Sequence, residues 1–149
     1  MALEFATVSG PWSVQAEAML AGVHIQALGA LRLTGAYIRA SCILSGEHRL
    51  YDPSEGIFDS VLPQRNFSWA DGTWEAFEVA LRLSTLDLDS GALAGGRQRD
   101  LTAGLNWYLK PGARLMFNAV HALVNGRSNP PALDGGRVYI FQARLQVEF

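Results

Sequence analysis

The chain has 149 residues, of which 49% are hydrophobic and 17% are charged, and its formal net charge is -2. No apolar run approaches the ~18 residues that a membrane-spanning helix needs, and the acidic balance excludes the basic face typical of nucleic-acid-binding proteins. Lys110 is the single lysine, so almost all the positive charge is arginine. Arginine binds phosphate-like groups through a planar fork of donors.

Alternation of apolar and polar residues is the dominant pattern along the chain, and it predicts two-faced β-strands. The last strand is the clearest, because Tyr139 and Phe141 begin an apolar series that alternates with a polar series containing Arg144 and Gln146. In chain order, the predicted strands cover residues 2–9, 12–20, 31–45, 77–84, 101–109, 113–125 and 137–149.

Turn-forming residues separate these strands. Gly10-Pro11 and Lys110-Pro111-Gly112 are tight turn formers, whereas longer polar loops are expected after residues 24, 87 and 125. The pattern therefore predicts an all-β, antiparallel up-and-down meander of about seven strands that forms one unit over residues 1–149. Residues 46–72 are the exception, a long connection with little alternation, and connections of that length are usually functional or disordered.

Alternation alone leaves two classes of barrel open, because a soluble barrel buries its apolar face and a membrane barrel turns it toward lipid. Aromatic residues favour the membrane, where they form belts at both interfaces. If strands run alternately up and down, one rim receives Trp12, Trp74, Trp107, Tyr108 and Phe149, and the opposite rim receives Tyr139 and Phe141. The alternative is a soluble, lipocalin-like eight-stranded barrel that binds a small ligand.

Four arginines share the polar phase of four strands. In a water-filled barrel they face the lumen and attract anions. In the alternative interpretation, they pair with Glu17, Glu78 and Glu148 and only hold the wall together. The predicted pore-lining residues are Arg39, Glu78, Arg82, Asn106, Arg114, Arg144 and Gln146.

Other chemistry finds no support in the sequence. His24, His48 and His121 lack the spacing of metal ligands, so no metal site is predicted. The segment 87–91 lacks the distal ligands of a calcium loop, and neither a nucleophile elbow nor a phosphate-binding loop occurs. We therefore predict no enzymatic activity and no cofactor. Cys42 falls in the apolar phase, where a small residue facing lipid or a subunit is expected.

Several segments resemble the phosphate-selective porin O and P family in their order and spacing, and together they cover nearly the whole chain. The segments are Gly46-Glu47-His48-Arg49-Leu50-Tyr51, Trp74 to Ser84 with Leu86-Asp87-Leu88, Leu101 to Leu109, Leu115 to His121, Asp134-Gly135-Gly136-Arg137 and Ile140 to Phe149.

The resemblance implies the C-terminal part of a transmembrane barrel of about sixteen strands. It implies an outer-membrane location with lipid around the barrel, a homotrimer, passive diffusion of anions such as phosphate or polyphosphate, and Phe149 as a signal for the barrel assembly machinery. It also implies that residues 46–72 fold into the lumen. The family's arginine ladder and constriction lysines lie mainly in its N-terminal half, so phosphate selectivity does not carry over to residues of this chain.

Two further expectations concern completeness. The start of the sequence, residues 1–6, has no basic region and no long apolar region, so no signal peptide is present. For an exported protein, this predicts a fragment or a truncated reading frame. About seven strands cannot close a wide pore, so we expect an open curved sheet, or a strained closure of residues 2–9 on residues 137–149.

Overall fold

The computed structural model of the chain describes residues 1–45, 51–52, 57–58, 72, 76–91, 93–126 and 135–148. Its strands are β1 (Ala2–Ser9), β2 (Trp12–Ile25), β3 (Gly29–Ile43), β4 (Tyr51–Asp52), β5 (Ile57–Phe58), β6 (Phe77–Ser90), β7 (Leu93–Lys110), β8 (Ala113–Asn125) and β9 (Gly136–Val147).

Seven of the strands form one antiparallel sheet in the order β1-β2-β3-β6-β7-β8-β9, and β4 pairs with β5 in a separate ladder. The predicted seven-strand meander is confirmed, and the sheet is not closed, because β1 and β9 are its edges. Among the described residues, no helix has the length and apolar character needed to cross a membrane.

Tight turns lie at one end of the sheet, which we call the lower rim. Ser9 pairs with Trp12 across the first turn, and Gly10 within it has a φ of 56°. Gly112 in the β7–β8 turn has a φ of 76°. Both angles lie in the left-handed region, which glycine adopts without steric cost, so the predicted turn formers stand where the backbone requires them.

The opposite end, the upper rim, corrects two expectations. Instead of the longer loops expected after residues 24 and 87, residues 26–28 join β2 to β3, and residues 91–92 join β6 to β7. Strand pairing continues to Ser90 and Leu93, with a register shift between Asp87 and Asp89. The continued ladder satisfies backbone groups that a loop would leave to water. Most of the connection after β8, residues 127–134, lies outside the described residues.

The long connection at residues 46–72 leaves and re-enters the sheet at the lower rim, because β3 and β6 are direct neighbours. At its ends, the Leu44 amide donates to the Phe77 carbonyl at 2.8 Å, and the Phe77 amide donates to the Ser45 hydroxyl at 3.2 Å. Apart from β4, β5 and Gly72, this connection lies outside the described residues, so the expected lumenal fold stays a prediction.

The two faces of the sheet differ in composition and exposure. On the apolar face, which we call outward, Leu81 is 50% exposed and Phe141 is 83% exposed. On the polar face, Asn106 is 8% exposed. A hollow of about 380 Å³ on the polar face is lined by residues of β3, β6, β7, β8 and β9. A soluble barrel would bury its leucines inside, so the exposure of the leucine face counts against the lipocalin-like alternative.

Side-chain packing concentrates at the lower end of the polar face. The fully buried Glu78 carboxylate accepts hydrogen bonds from Asn106 Nδ2 at 2.8 Å and from the Tyr108 hydroxyl at 2.6 Å. Arg39 Nη2 lies 3.5 Å from its other oxygen. Tyr108 also packs with Ile43 and Ala76. This cluster joins three strands that are far apart in sequence.

Labels at adjacent positions of β6 distinguish the two faces. In a Cys42→Ser background refolded in detergent micelles, a spin label at Leu81→Cys should collide with dissolved oxygen, which partitions into the apolar phase. A label at Arg82→Cys should collide with a water-soluble nickel complex, because side chains alternate between the faces. Power-saturation electron paramagnetic resonance measures both accessibilities. The reverse order would refute the assignment of the faces.

Removal of the Glu78 carboxylate should destabilise the sheet. Glu78→Ala removes two hydrogen bonds, those from Asn106 Nδ2 and from the Tyr108 hydroxyl, and the ion pair with Arg39, and we expect a loss of about 3 kcal/mol in the free energy of unfolding. Glu148→Ala removes an exposed carboxylate from the same face and should change this free energy by less than about 0.5 kcal/mol. Urea unfolding in micelles measures both, and equal losses would contradict the anchoring role.

Candidate functional site

The outward face carries a continuous apolar belt. On β9 the outward residues from Tyr139 to Val147 are all apolar or aromatic, and they span nine residues, which is ~30 Å of extended strand. With a strand tilt of ~40°, the belt is ~23 Å tall, close to the ~25 Å apolar band of transmembrane barrels. On the neighbouring strands, the belt consists of Phe77, Val79, Leu81 and Leu83 on β6, Leu101, Ala103, Leu105 and Trp107 on β7, and Leu115, Phe117, Ala119 and His121 on β8.

Charged residues mark the upper edge of this belt. Among the described outward residues above His121 and Tyr139, the first charged side chains are Arg99 and Arg137, and Asp87 and Arg97 follow one level higher. An arginine on the lipid face costs ~2–4 kcal/mol at the bilayer midplane and ~0–1 kcal/mol near the interface. Their placement therefore fits a boundary between hydrocarbon and headgroups.

The predicted interface aromatics lie near the edges of the belt. Trp12 is 58% exposed beside the first lower turn, and Trp107 stacks on Phe77 at 5.6 Å between ring centres. Near the upper edge, Tyr139 is 66% exposed and stacks on His121 at 4.7 Å. Trp74 and Phe149 lie outside the described residues.

Tyr108 corrects the predicted aromatic rim. The side chain belongs to the polar face, is only 4% exposed and donates its hydroxyl proton to Glu78. Alternation along β7 places Tyr108 on the face opposite to Trp107, and the Glu78 carboxylate satisfies its buried hydroxyl.

All seven predicted pore-lining residues share the polar face. The strand register places Arg39 beside Arg82, Glu78 beside Asn106, and Arg114 beside Gln146. Arg144 follows Met116 in the row that begins at Glu78. The strand ladder brings together residues that are distant in sequence, so these residues from five strands occupy three of four successive levels on one surface.

Aromatic rings and amides position the guanidinium groups. The Arg82 guanidinium lies 4.2 Å from the centre of the Tyr37 ring, within the range of a cation–π interaction. Arg114 donates through Nε and Nη2 to Gln146 Oε1 at 3.1 and 2.9 Å, and its guanidinium lies 6.0 Å from the Tyr108 ring. These contacts leave part of each guanidinium fork available to a solute.

Two further carboxylates of the polar face accept hydrogen bonds from neighbouring side chains. Asp100 accepts from the Ser84 hydroxyl at 3.1 Å and from Gln98 Nε2 at 2.9 Å, and Glu148 accepts from Gln146 Nε2. Of the four predicted arginines, only Arg39 forms a recorded ion pair within the described part of the chain, with Glu78. The alternative interpretation, in which the arginines form ion pairs that only stabilise the barrel wall, therefore applies within the described ranges to Arg39 and to no other arginine of the four.

Placement rather than net charge makes part of this face cationic. The described face carries four arginines, Arg39, Arg82, Arg114 and Arg144, with Lys110 at its lower end, and five carboxylates, Glu4, Glu17, Glu78, Asp100 and Glu148. The hollow of about 380 Å³ is nevertheless lined by Arg39, Arg82 and Arg114 and by no carboxylate. Its other polar walls are Thr102, Asn106, Asn118 and Gln142.

Sequence reasoning missed part of this lining. Thr102, Asn118 and Gln142 follow the same alternation as the predicted residues, and a complete list of the polar phase includes them. The stacking of Arg82 on Tyr37 was not predictable, because it needs the pairing of β3 with β6 across the long connection.

Metal and thiol chemistry find no site in the described ranges. No group of three or more His, Cys, Asp or Glu side chains is arranged to hold a metal ion there. Cys42 lies in the outward phase opposite Trp12, but it is only 9% exposed. The small outward residue expected at this position is therefore largely covered.

Comparison with known proteins gives the family. A protein of Caulobacter vibrioides, named only as an uncharacterized protein, is 27% identical over 150 residues, which cover 99% of this chain and 29% of the relative. The chain thus spans less than a third of that relative's length. The family model of the phosphate-selective porins O and P matches residues 1–149. Together with the open antiparallel sheet and its outward apolar belt, this match shows that the chain belongs to the phosphate-selective porin O and P family.

Proposed function

We propose that the polar face lines the aqueous pore of an anion-selective diffusion channel, of which this sheet forms part of the wall. Family membership implies a porin of the bacterial outer membrane, and porins catalyse no reaction. The preference for anions rests on one observation, the hollow lined by Arg39, Arg82 and Arg114 without a carboxylate. Fixed positive charge at a pore wall raises the local anion concentration.

The pore solute in this proposal is a small inorganic anion such as phosphate or polyphosphate. Arg82 carries most of the attraction, because its side chain is exposed and is held over a ring rather than by a carboxylate. Arg39 contributes less, since Glu78 lies 3.5 Å from it. Thr102, Asn118 and Gln142 offer uncharged groups that can replace part of the solute's hydration shell.

The remaining features of the proposal concern the whole protein. The lower rim with its tight turns faces the periplasm, and the upper rim faces outside, as in outer-membrane barrels. A homotrimer and recognition of Phe149 by the assembly machinery are carried over from the family resemblance.

Chloride binding to the refolded chain tests the cationic hollow. In micelles of an uncharged detergent, the chain should broaden the quadrupolar NMR line of chloride, because bound ions relax faster than free ions. Arg82→Gln should reduce the excess linewidth at least about twofold. Arg137→Gln removes the same charge from the outward face and should leave the linewidth nearly unchanged.

Two outcomes of the chloride measurement count against the proposal. One is an equal reduction by Arg82→Gln and Arg137→Gln, which would mean that the chain attracts chloride through its total charge. The other is no excess linewidth in the unsubstituted chain. Strand circular dichroism of each variant establishes that the refolded sheet is present.

A further inference from the structure

Two arginines interrupt the outward face just above the apolar belt. Arg99 on β7 and Arg137 on β9 are both register partners of Leu123 on β8. All three residues are exposed, and Leu123 is 38% exposed. Two strand spacings separate the arginines, which is ~10 Å, so their long side chains can converge over Leu123.

Nearby carboxylates do not neutralise this pair. Asp87, on the outward face one level higher, binds Arg97 through Nε at 2.9 Å. Asp100 follows Arg99 in sequence, but its side chain accepts hydrogen bonds from Ser84 and Gln98 on the polar face. Within the described residues, neither Arg99 nor Arg137 has a recorded ion pair, so both guanidinium forks are open to a ligand.

An apolar groove begins at the same place. It has a volume of about 500 Å³, and its outward lining includes Ile38, Leu83, Leu101, His121 and Leu123, with Arg99 at its charged end. Tyr139 stacks on His121 beside it. A groove with apolar walls and a cation at one end is complementary to an amphiphile with an anionic headgroup and an apolar tail.

We propose that Arg99 and Arg137 bind the phosphate of an anionic membrane lipid, and that one acyl chain of this lipid lies in the groove below them. A guanidinium fork matches phosphate oxygens in a bidentate geometry. The pair lies at the upper edge of the apolar belt, where phosphates of a bilayer are found. The apolar groove favours a lipid over free phosphate, because a free ion gains nothing from leucine walls.

This proposal needs the outward face to contact lipid, but it does not need anion conduction. The two arginines lie on the face opposite the cationic hollow. A lumenal pair of equal charge is therefore available as a matched control, and failure of either proposal leaves the other standing.

Native mass spectrometry of the refolded chain, released from an uncharged detergent, tests the site. The probes are phosphatidylglycerol and phosphatidylcholine with identical acyl chains. The unsubstituted chain should retain phosphatidylglycerol about 25-fold better than phosphatidylcholine, which is about fivefold for each of the two arginines. In Arg99→Gln/Arg137→Gln, the affinity for phosphatidylglycerol should fall about fivefold for each arginine removed. Arg82→Gln/Arg144→Gln should keep it within about twofold.

Three results would overturn the assignment. One is an absence of preference between the two lipids in the unsubstituted chain, which remains informative even where a variant fails to refold. Another is an equal loss of phosphatidylglycerol in both double variants. The third is full displacement of phosphatidylglycerol by equimolar inorganic phosphate, which would assign the arginines to a small anion rather than to a lipid.

Discussion

Backbone amide and carbonyl groups find no water in hydrocarbon, so each must be paired within the protein, and the rest of this sheet depends on that constraint. The strand ladders provide this pairing. Between β6 and β7, for example, the ladder runs from the pair Phe77–Trp107 to the pair Ser90–Leu93. Once the pairing is fixed, side chains alternate, and a slip of one residue would exchange the two faces. The outward leucines and the inward arginines are therefore two consequences of one register.

The same constraint governs the edges. Seven antiparallel strands give β1 and β9 the same direction, so their direct pairing would be parallel. A fully antiparallel barrel that contains this sheet therefore has an odd number of further strands, and about sixteen in total would leave nine. Of the two expected outcomes, the open sheet is found, and the strained closure of residues 2–9 on residues 137–149 conflicts with the up-and-down order of the strands.

Much of the fold could be predicted from the sequence because membrane strands need only a two-residue period. The alternation from Tyr139 to Val147 gave the correct phase of β9. The upper hairpins were not predictable in this way, because Asp89, Ser90 and Gly91 are loop formers by composition but extend a paired hairpin beyond the belt. Strand pairing outside hydrocarbon tolerates polar residues on both faces, so composition carries little information there.

For the candidate site, the sequence predicted which residues lie on the polar face, but it did not predict the contacts that these residues make. The polar phase identified all four arginines, but the role of each depends on neighbours across the ladder. Glu78 holds Arg39, whereas Tyr37 carries Arg82. Those neighbours come from strands whose pairing spans the long connection, and no local pattern reveals them. Tyr108 shows the same limit, since its partner Glu78 lies 30 residues away.

Function follows from this division of charge. Glu78 and Asp100 are held by amides and hydroxyls, and no carboxylate of the described residues lines the hollow, so the charged groups in its lining are guanidinium groups. The outward face keeps its charges above the belt, where lipid headgroups begin. In the proposed channel, the sheet therefore separates the aqueous lumen from the surrounding membrane.

The most direct test of this account is the ion selectivity of a complete barrel that contains the sheet. The chain replaces the matching region of the Caulobacter vibrioides relative, and the refolded chimera is placed in a planar bilayer under a potassium chloride gradient. The sign of the reversal potential should show anion selectivity, and Arg82→Glu should reduce it. Because most of the pore in the chimera belongs to the relative, the decisive result is the effect of the substitution: a reversal potential that Arg82→Glu leaves unchanged in a chimera that conducts would contradict the account.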